Sequence, residues 1–125
     1  MRTVAPALVI GAAVAASIAA AGIADARTAP AGATVEYGWT SDEVQNEISF
    51  YGRDGKLVKR QVRFRYLPVG FGPEKFGYGV RIQVPKKQAI GSRATSSGAF
   101  SSCTIKVNGT QVATHRNNGT GTSHC

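Results

Sequence analysis

Across residues 57–67 apolar and polar positions alternate: Val58, Val62, Phe64 and Tyr66 fall on one side, Lys59, Gln61, Arg63 and Arg65 on the other. Successive side chains of a strand point to opposite faces, so this spacing predicts a strand with one face on a core and one toward water or a partner. Weaker versions of the pattern recur. Residues 35–37 predict a short strand ending near Gly38 or Trp39, and 44–51 a second with Ile48 and Phe50 on one side. Residues 78–84 predict another, with Val80, Ile82 and Val84 inward and Pro85 as its stop. Further strands are expected near 88–95, 100–107, 110–115 and 120–125. Asp54-Gly55 and Asn108-Gly109 are hairpin signals, and the second pair suits a type I′ turn because both residues accept positive φ at little cost. No long 3.6-residue period, heptad or internal repeat competes with this reading. The predicted fold class is all-β: a small immunoglobulin-like β-sandwich of about seven strands.

The first 26 residues follow a different pattern. Arg2 precedes a run without charge from Val4 to Ala24, and Ala24-Asp25-Ala26 offers a small-x-small cleavage site before Arg27. Those three features predict an export signal peptide over 1–26. An uncleaved membrane anchor is the alternative, since the run is long enough to span a bilayer, although its alanine-dominated composition inserts weakly. Residues 27–33, rich in Ala, Pro and Gly, are expected as a linker, and 34–125 as the sandwich domain. In both versions the body is exported, to the extracytoplasmic face of the cell membrane or as a secreted protein.

Composition refines this picture in two ways. All ten aromatic residues fall after residue 26, enough to fill one small core. The net charge is +8, and it survives loss of the leader, which carries one residue of each sign. Such an excess predicts attraction to something anionic, with anionic lipid or a wall polymer as the expected partners and nucleic acid not expected for an exported chain.

The cysteine count is two, Cys103 and Cys125. In an exported chain an even pair is most simply a disulfide, here closing a loop of about 23 residues, a constraint of roughly 3 kcal/mol by chain entropy. Zinc is the competing use, with His115 and His124 completing a set of four ligands. Neighbours His124 and Cys125 would point to opposite faces of one strand, which disfavours a shared tetrahedral ion. No metal and no cofactor are therefore expected.

The run from Phe100 through Cys103-Thr-Ile105-Lys-Val107, the turn Asn108-Gly109 and the closing Cys125 resembles the MmpS family of small mycobacterial membrane proteins. That family has a cysteine opening a C-x-I-x-V strand, an Asn/Asp-Gly turn and a second cysteine near the chain end. The resemblance implies an extracytoplasmic β-sandwich behind one amino-terminal membrane segment, acting as accessory to an MmpL-type transporter that exports lipids or siderophores. The alternative is a secreted basic domain that binds anionic envelope or host-surface components without a transporter.

Two groups of residues are candidates for contact with a partner. Lys59, Arg60, Arg63 and Arg65 form a basic run whose alternation places Lys59, Arg63 and Arg65 on one strand face. Phe71, Phe76 and Tyr78, in a glycine-rich stretch interrupted by Pro73, are candidates for an apolar docking loop on a rigid scaffold. Catalysis lacks its usual machinery: only two histidines, both near the carboxyl end, and no glycine-rich loop leading into a helix. The chain is expected not to be an enzyme.

Overall fold

In the computed structural model, which describes residues 23, 26–68 and 72–125, the described chain forms eleven strands, antiparallel throughout. A five-stranded sheet runs in the order β10 (Thr110–Asn117), β9 (Ser101–Val107), β2 (Thr34–Ser41), β6 (Phe76–Gln83), β5 (Arg65–Tyr66). A four-stranded sheet runs β11 (Gly121–His124), β8 (Ser92–Ser96), β3 (Gln45–Tyr51), β4 (Leu57–Arg63). A third, small sheet pairs β1 (Arg27–Ala29) with β7 (Gln88–Ile90). The all-β, sandwich-like architecture with one disulfide is as the periodicity predicts.

Both larger sheets feed one core. Val35, Tyr37 and Trp39 of β2 and Ile105 of β9 meet Ile48 and Phe50 of β3 and Ala94 of β8, all buried. The Phe50 ring lies 5.3 Å from Tyr37 and 5.8 Å from Trp39, tilted against both. Aromatic pairs in such tilted geometry add roughly 0.5–1.5 kcal/mol beyond the area they bury.

Three expectations about element boundaries are corrected. The strand expected over 57–67 is two strands in different sheets. β4 follows β3 as far as Arg63; then Phe64, 3 % exposed, turns inward, and its N–H donates to the Val44 carbonyl at 2.7 Å. The next two residues, β5, pair with β6 in the opposite sheet. The crossing breaks the alternation, so Tyr66, expected inward with Val58 and Val62, is 68 % exposed. Residues 27–33, expected as a linker, contribute β1 and bury Ala29 and Ala33. The strand expected to stop near Gly38 or Trp39 runs on to Ser41, because β6 and β9 pair with it from both sides along its length. The crossing at Phe64, the division of 88–95 at Gly91 and the added β1 bring the eight expected stretches to the eleven observed strands, against a sandwich of about seven.

Both hairpins form. Asn108 and Gly109 have φ of 50° and 85°, the all-positive pair of a type I′ turn. Asn108 also fastens this turn to the start of β2: its N–H donates to the Thr34 carbonyl at 2.8 Å, and its Oδ1 accepts from the Thr34 N–H at 3.0 Å. At the other hairpin Gly55 alone has positive φ, 79°, and its N–H donates to the Gly52 carbonyl. That is the longer hairpin with a left-handed glycine, not a two-residue primed turn.

Tyr37 links the core to pH. Burial pushes its phenol well above the ordinary value of 10, and its hydroxyl donates to the Tyr51 carbonyl at 2.8 Å. The unfolded chain therefore releases this proton first as pH rises. The stability contributed is fully present below about pH 10 and is lost as pH climbs from there toward the folded value. Urea titrations between pH 8 and 11 should show a progressive fall in stability above pH 10 that Tyr37→Phe reduces; an identical profile in the variant would contradict this.

Candidate anion-binding face

The four-stranded sheet turns one face to the core and the other to solvent. On the solvent face the register lines up side chains across strands: Lys59 stands opposite Ser49, Ser49 opposite Arg93, and Arg93 opposite His124. With strands about 4.8 Å apart, Lys59 and Arg93 sit about 10 Å from each other and Arg93 about 5 Å from His124. Arg63 occupies the same face farther along β4, opposite Gln45. The only acidic side chain in these rows is Glu47, which reaches Lys59 at 3.9 Å. That exposed pair is worth well under about 1 kcal/mol and leaves the face positive.

At its far end the line continues onto the other sheet. The imidazole centres of His124 and His115 are 5.8 Å apart, and the His124 backbone N–H donates to His115 Nδ1 at 3.0 Å. Arg27 borders the same hollow, about 360 Å³ in volume. Arg93 makes no ion pair among the described residues, and its buried Nε makes no hydrogen bond. With no ion pair of its own, the Arg93 guanidinium can present its terminal nitrogens to an anion, and such a fork suits phosphate or carboxylate.

The candidate residues are thus only partly brought together. Lys59 and Arg63 share the outer face as expected. Arg65 does not join them, because the crossing at Phe64 carries it into the other sheet. Arg60 has the parity of Val58 and Val62 and stands opposite buried Ile48, yet is exposed at the free edge of β4. An inward-set charge on an edge strand discourages pairing with another chain. Asp54 serves its hairpin, its Oδ1 accepting from the Lys56 N–H at 3.0 Å.

The aromatic docking loop does not assemble as expected. Phe76 and Tyr78 belong to β6, half-buried; Tyr78 stacks on Phe64 at 5.8 Å and lies 6.2 Å from Trp39, so it flanks the core. Phe71 lies outside the described residues. Arg93 and His124 are the site residues that sequence reasoning missed. Each sits in an expected strand, but nothing in the chain declares which strands pair.

Cys103 and Cys125 are joined, with Cα atoms 6.0 Å apart and both side chains buried. Both sulfurs are therefore spent as metal ligands, and among the described residues no three His, Cys, Asp or Glu side chains converge. The bond ties β9 of one sheet to the end of β11 in the other, and the Cys125 N–H donates to the Ser92 carbonyl at 2.8 Å. Replacing both cysteines by serine should lower unfolding free energy by roughly 3 kcal/mol. It should also broaden the amide resonances of β11 before those of β3; a loss below about 1 kcal/mol would contradict the assigned role.

No protein-family model matches this chain, and no curated protein is significantly similar to it.

Proposed function

We propose that the chain is an exported, non-catalytic binding domain of the cell envelope that applies the solvent face of its four-stranded sheet to an anionic lipid or wall polymer. The single observation that carries this reading is the cross-strand line Lys59, Arg93, His124. Lys and Arg near an anionic surface contribute about 1 kcal/mol each, so Lys59 and Arg93, with Arg63 on the same face, act together where one would not. One further fact accords with export: the disulfide belongs to an oxidising compartment.

A second reading, an MmpS-like accessory to an MmpL-type exporter of lipids or siderophores, has its own support. Ile23, within the segment expected as a leader, is buried, donates its N–H to the Tyr51 hydroxyl at 3.0 Å and approaches the position a Gly91 side chain would occupy. Such packing of Ile23 on the domain accords with a segment that is retained. Amino-terminal sequencing of membrane and supernatant fractions separates the two: a start at Arg27 in the supernatant favours the free domain, an intact start in membranes the accessory.

The face itself is tested with phosphatidylglycerol vesicles. Lys59→Glu with Arg93→Glu should weaken binding at least about tenfold and flatten its salt dependence. The control pair Lys75→Glu with Lys106→Glu, elsewhere on the molecule and equal in charge change, should weaken it far less. Equal losses would mean net charge alone drives binding and would refute a dedicated face.

A further inference from the structure

On the outward side of the five-stranded sheet two glycines face each other where strand geometry would admit any residue. Gly38 of β2 is paired with Gly79 of β6, inside both strands. Neither has a positive φ. A Cβ on Gly38 would meet nothing within 4 Å, and one on Gly79 only the Tyr37 carbonyl oxygen at 3.5 Å, an ordinary contact. Neighbouring Gly77 differs, since its Cβ would press on Leu67 at 3.1 Å. Glycine inside a strand destabilises it relative to alanine. At Gly38 and Gly79 neither backbone conformation nor packing offsets that cost. Glycine so placed often marks the close approach of a ligand.

The bare floor lies beneath an open groove of about 740 Å³. Two smaller hollows of about 260 Å³ each share Gly38 or Gly79 and extend it toward Lys106 and Arg81. Volumes in this range suit small ligands. Thr40, Ser102 and Thr104 line one side, Arg65, Tyr66 and Leu67 the other. Thr40 Oγ1 is hydrogen-bonded to Ser102 Oγ and lies 3.5 Å from Glu74 Oε1, which orients that hydroxyl pair. Tyr66 is largely exposed, and Arg65 makes no ion pair among the described residues.

We propose that this groove binds an acidic oligosaccharide. The flat face of a sugar ring lies on the glycine floor and against Leu67, whose side chain lies over Gly77 on the same side of the sheet. Its hydroxyls exchange hydrogen bonds with Thr40, Ser102 and Thr104, and its carboxylate meets the Arg65 guanidinium, whose fork matches that geometry. An acyl chain fits less well, because it would cover three hydroxyls without offering them a partner. A peptide strand would need a free sheet edge, and β2 is already paired on both sides. The groove lies on the sheet opposite the cation line, so its ligand is independent of the reading given for that face.

The test is an NMR titration of the isotope-labelled full chain with the disaccharide of N-acetylglucosamine and N-acetylmuramic acid. A parallel titration with diacetylchitobiose keeps the rings and removes the carboxylate. Amide shifts are expected at Gly38, Thr40, Gly79, Ser102 and Thr104, with Kd near about 1 mM for the acidic sugar and several-fold weaker for the neutral one. Gly38→Val should weaken binding at least about tenfold while Tm holds, since valine suits a strand. Thr104→Val gives a second, isosteric route to the same loss. Arg65→Gln should abolish the difference between the two sugars. Absence of shifts with both sugars at about 10 mM, shifts confined to β4, β8 and β11, or undiminished binding in both groove variants would overturn the proposal. So would a response at these amides to dodecylphosphocholine micelles with none to either sugar, which would assign the groove to an acyl chain.

Discussion

Backbone hydrogen bonds hold each sheet of this domain together, but none of its ladders joins the five-stranded sheet to the four-stranded one; beyond side-chain burial and a few hydrogen bonds such as Tyr37 to Tyr51 and Ser41 to Ser96, the covalent link between them is the bond between Cys103 and Cys125. It fastens the start of β9 to the residue after β11, a strand of only four residues with a single ladder partner, β8. Without the bond such a strand would fray readily. The consequence reaches the surface: His124 is on β11, and its pairing with Arg93 and His115 exists only while that strand is docked. A covalent constraint in the core thus sets the geometry of charges on the outside.

Much of the fold was legible because β-structure announces itself locally. Asn108-Gly109 specified its turn by the φ values those residues tolerate, and the alternation of Val58, Lys59, Gln61 and Val62 specified a half-buried strand. The even pair of cysteines, read beside the expected export leader, pointed to the disulfide. What escaped were non-local facts. At Phe64 the pattern of the sequence continues unbroken while the chain changes sheets, because an inward aromatic is equally consistent with staying and with crossing. That single crossing removed Arg65 from the basic face and exposed Tyr66. Arg93 and His124 joined the site through register, which depends on which strands pair and not on any one segment.

The two outer faces of the sandwich consequently differ in chemistry. The four-stranded sheet presents Lys59, Arg63 and Arg93 with one weakly engaged acid. The five-stranded sheet presents a bare glycine floor bordered by hydroxyls, with two of its four strand Lys and Arg residues matched: Arg81 is held by Glu36 at 2.8 Å and Arg116 by Glu74 at 3.2 Å. Net charge alone would attract the molecule to an anionic surface in any orientation. In the proposed reading, the arrangement of the charges gives it one preferred side.

Amide hydrogen exchange of the disulfide-bonded protein, with and without phosphatidylglycerol vesicles, reads that orientation directly. Added protection concentrated in β4, β8 and β11, with β2 and β6 unchanged, is the predicted result. Protection spread equally over both sheets, or centred on β6, would contradict the account.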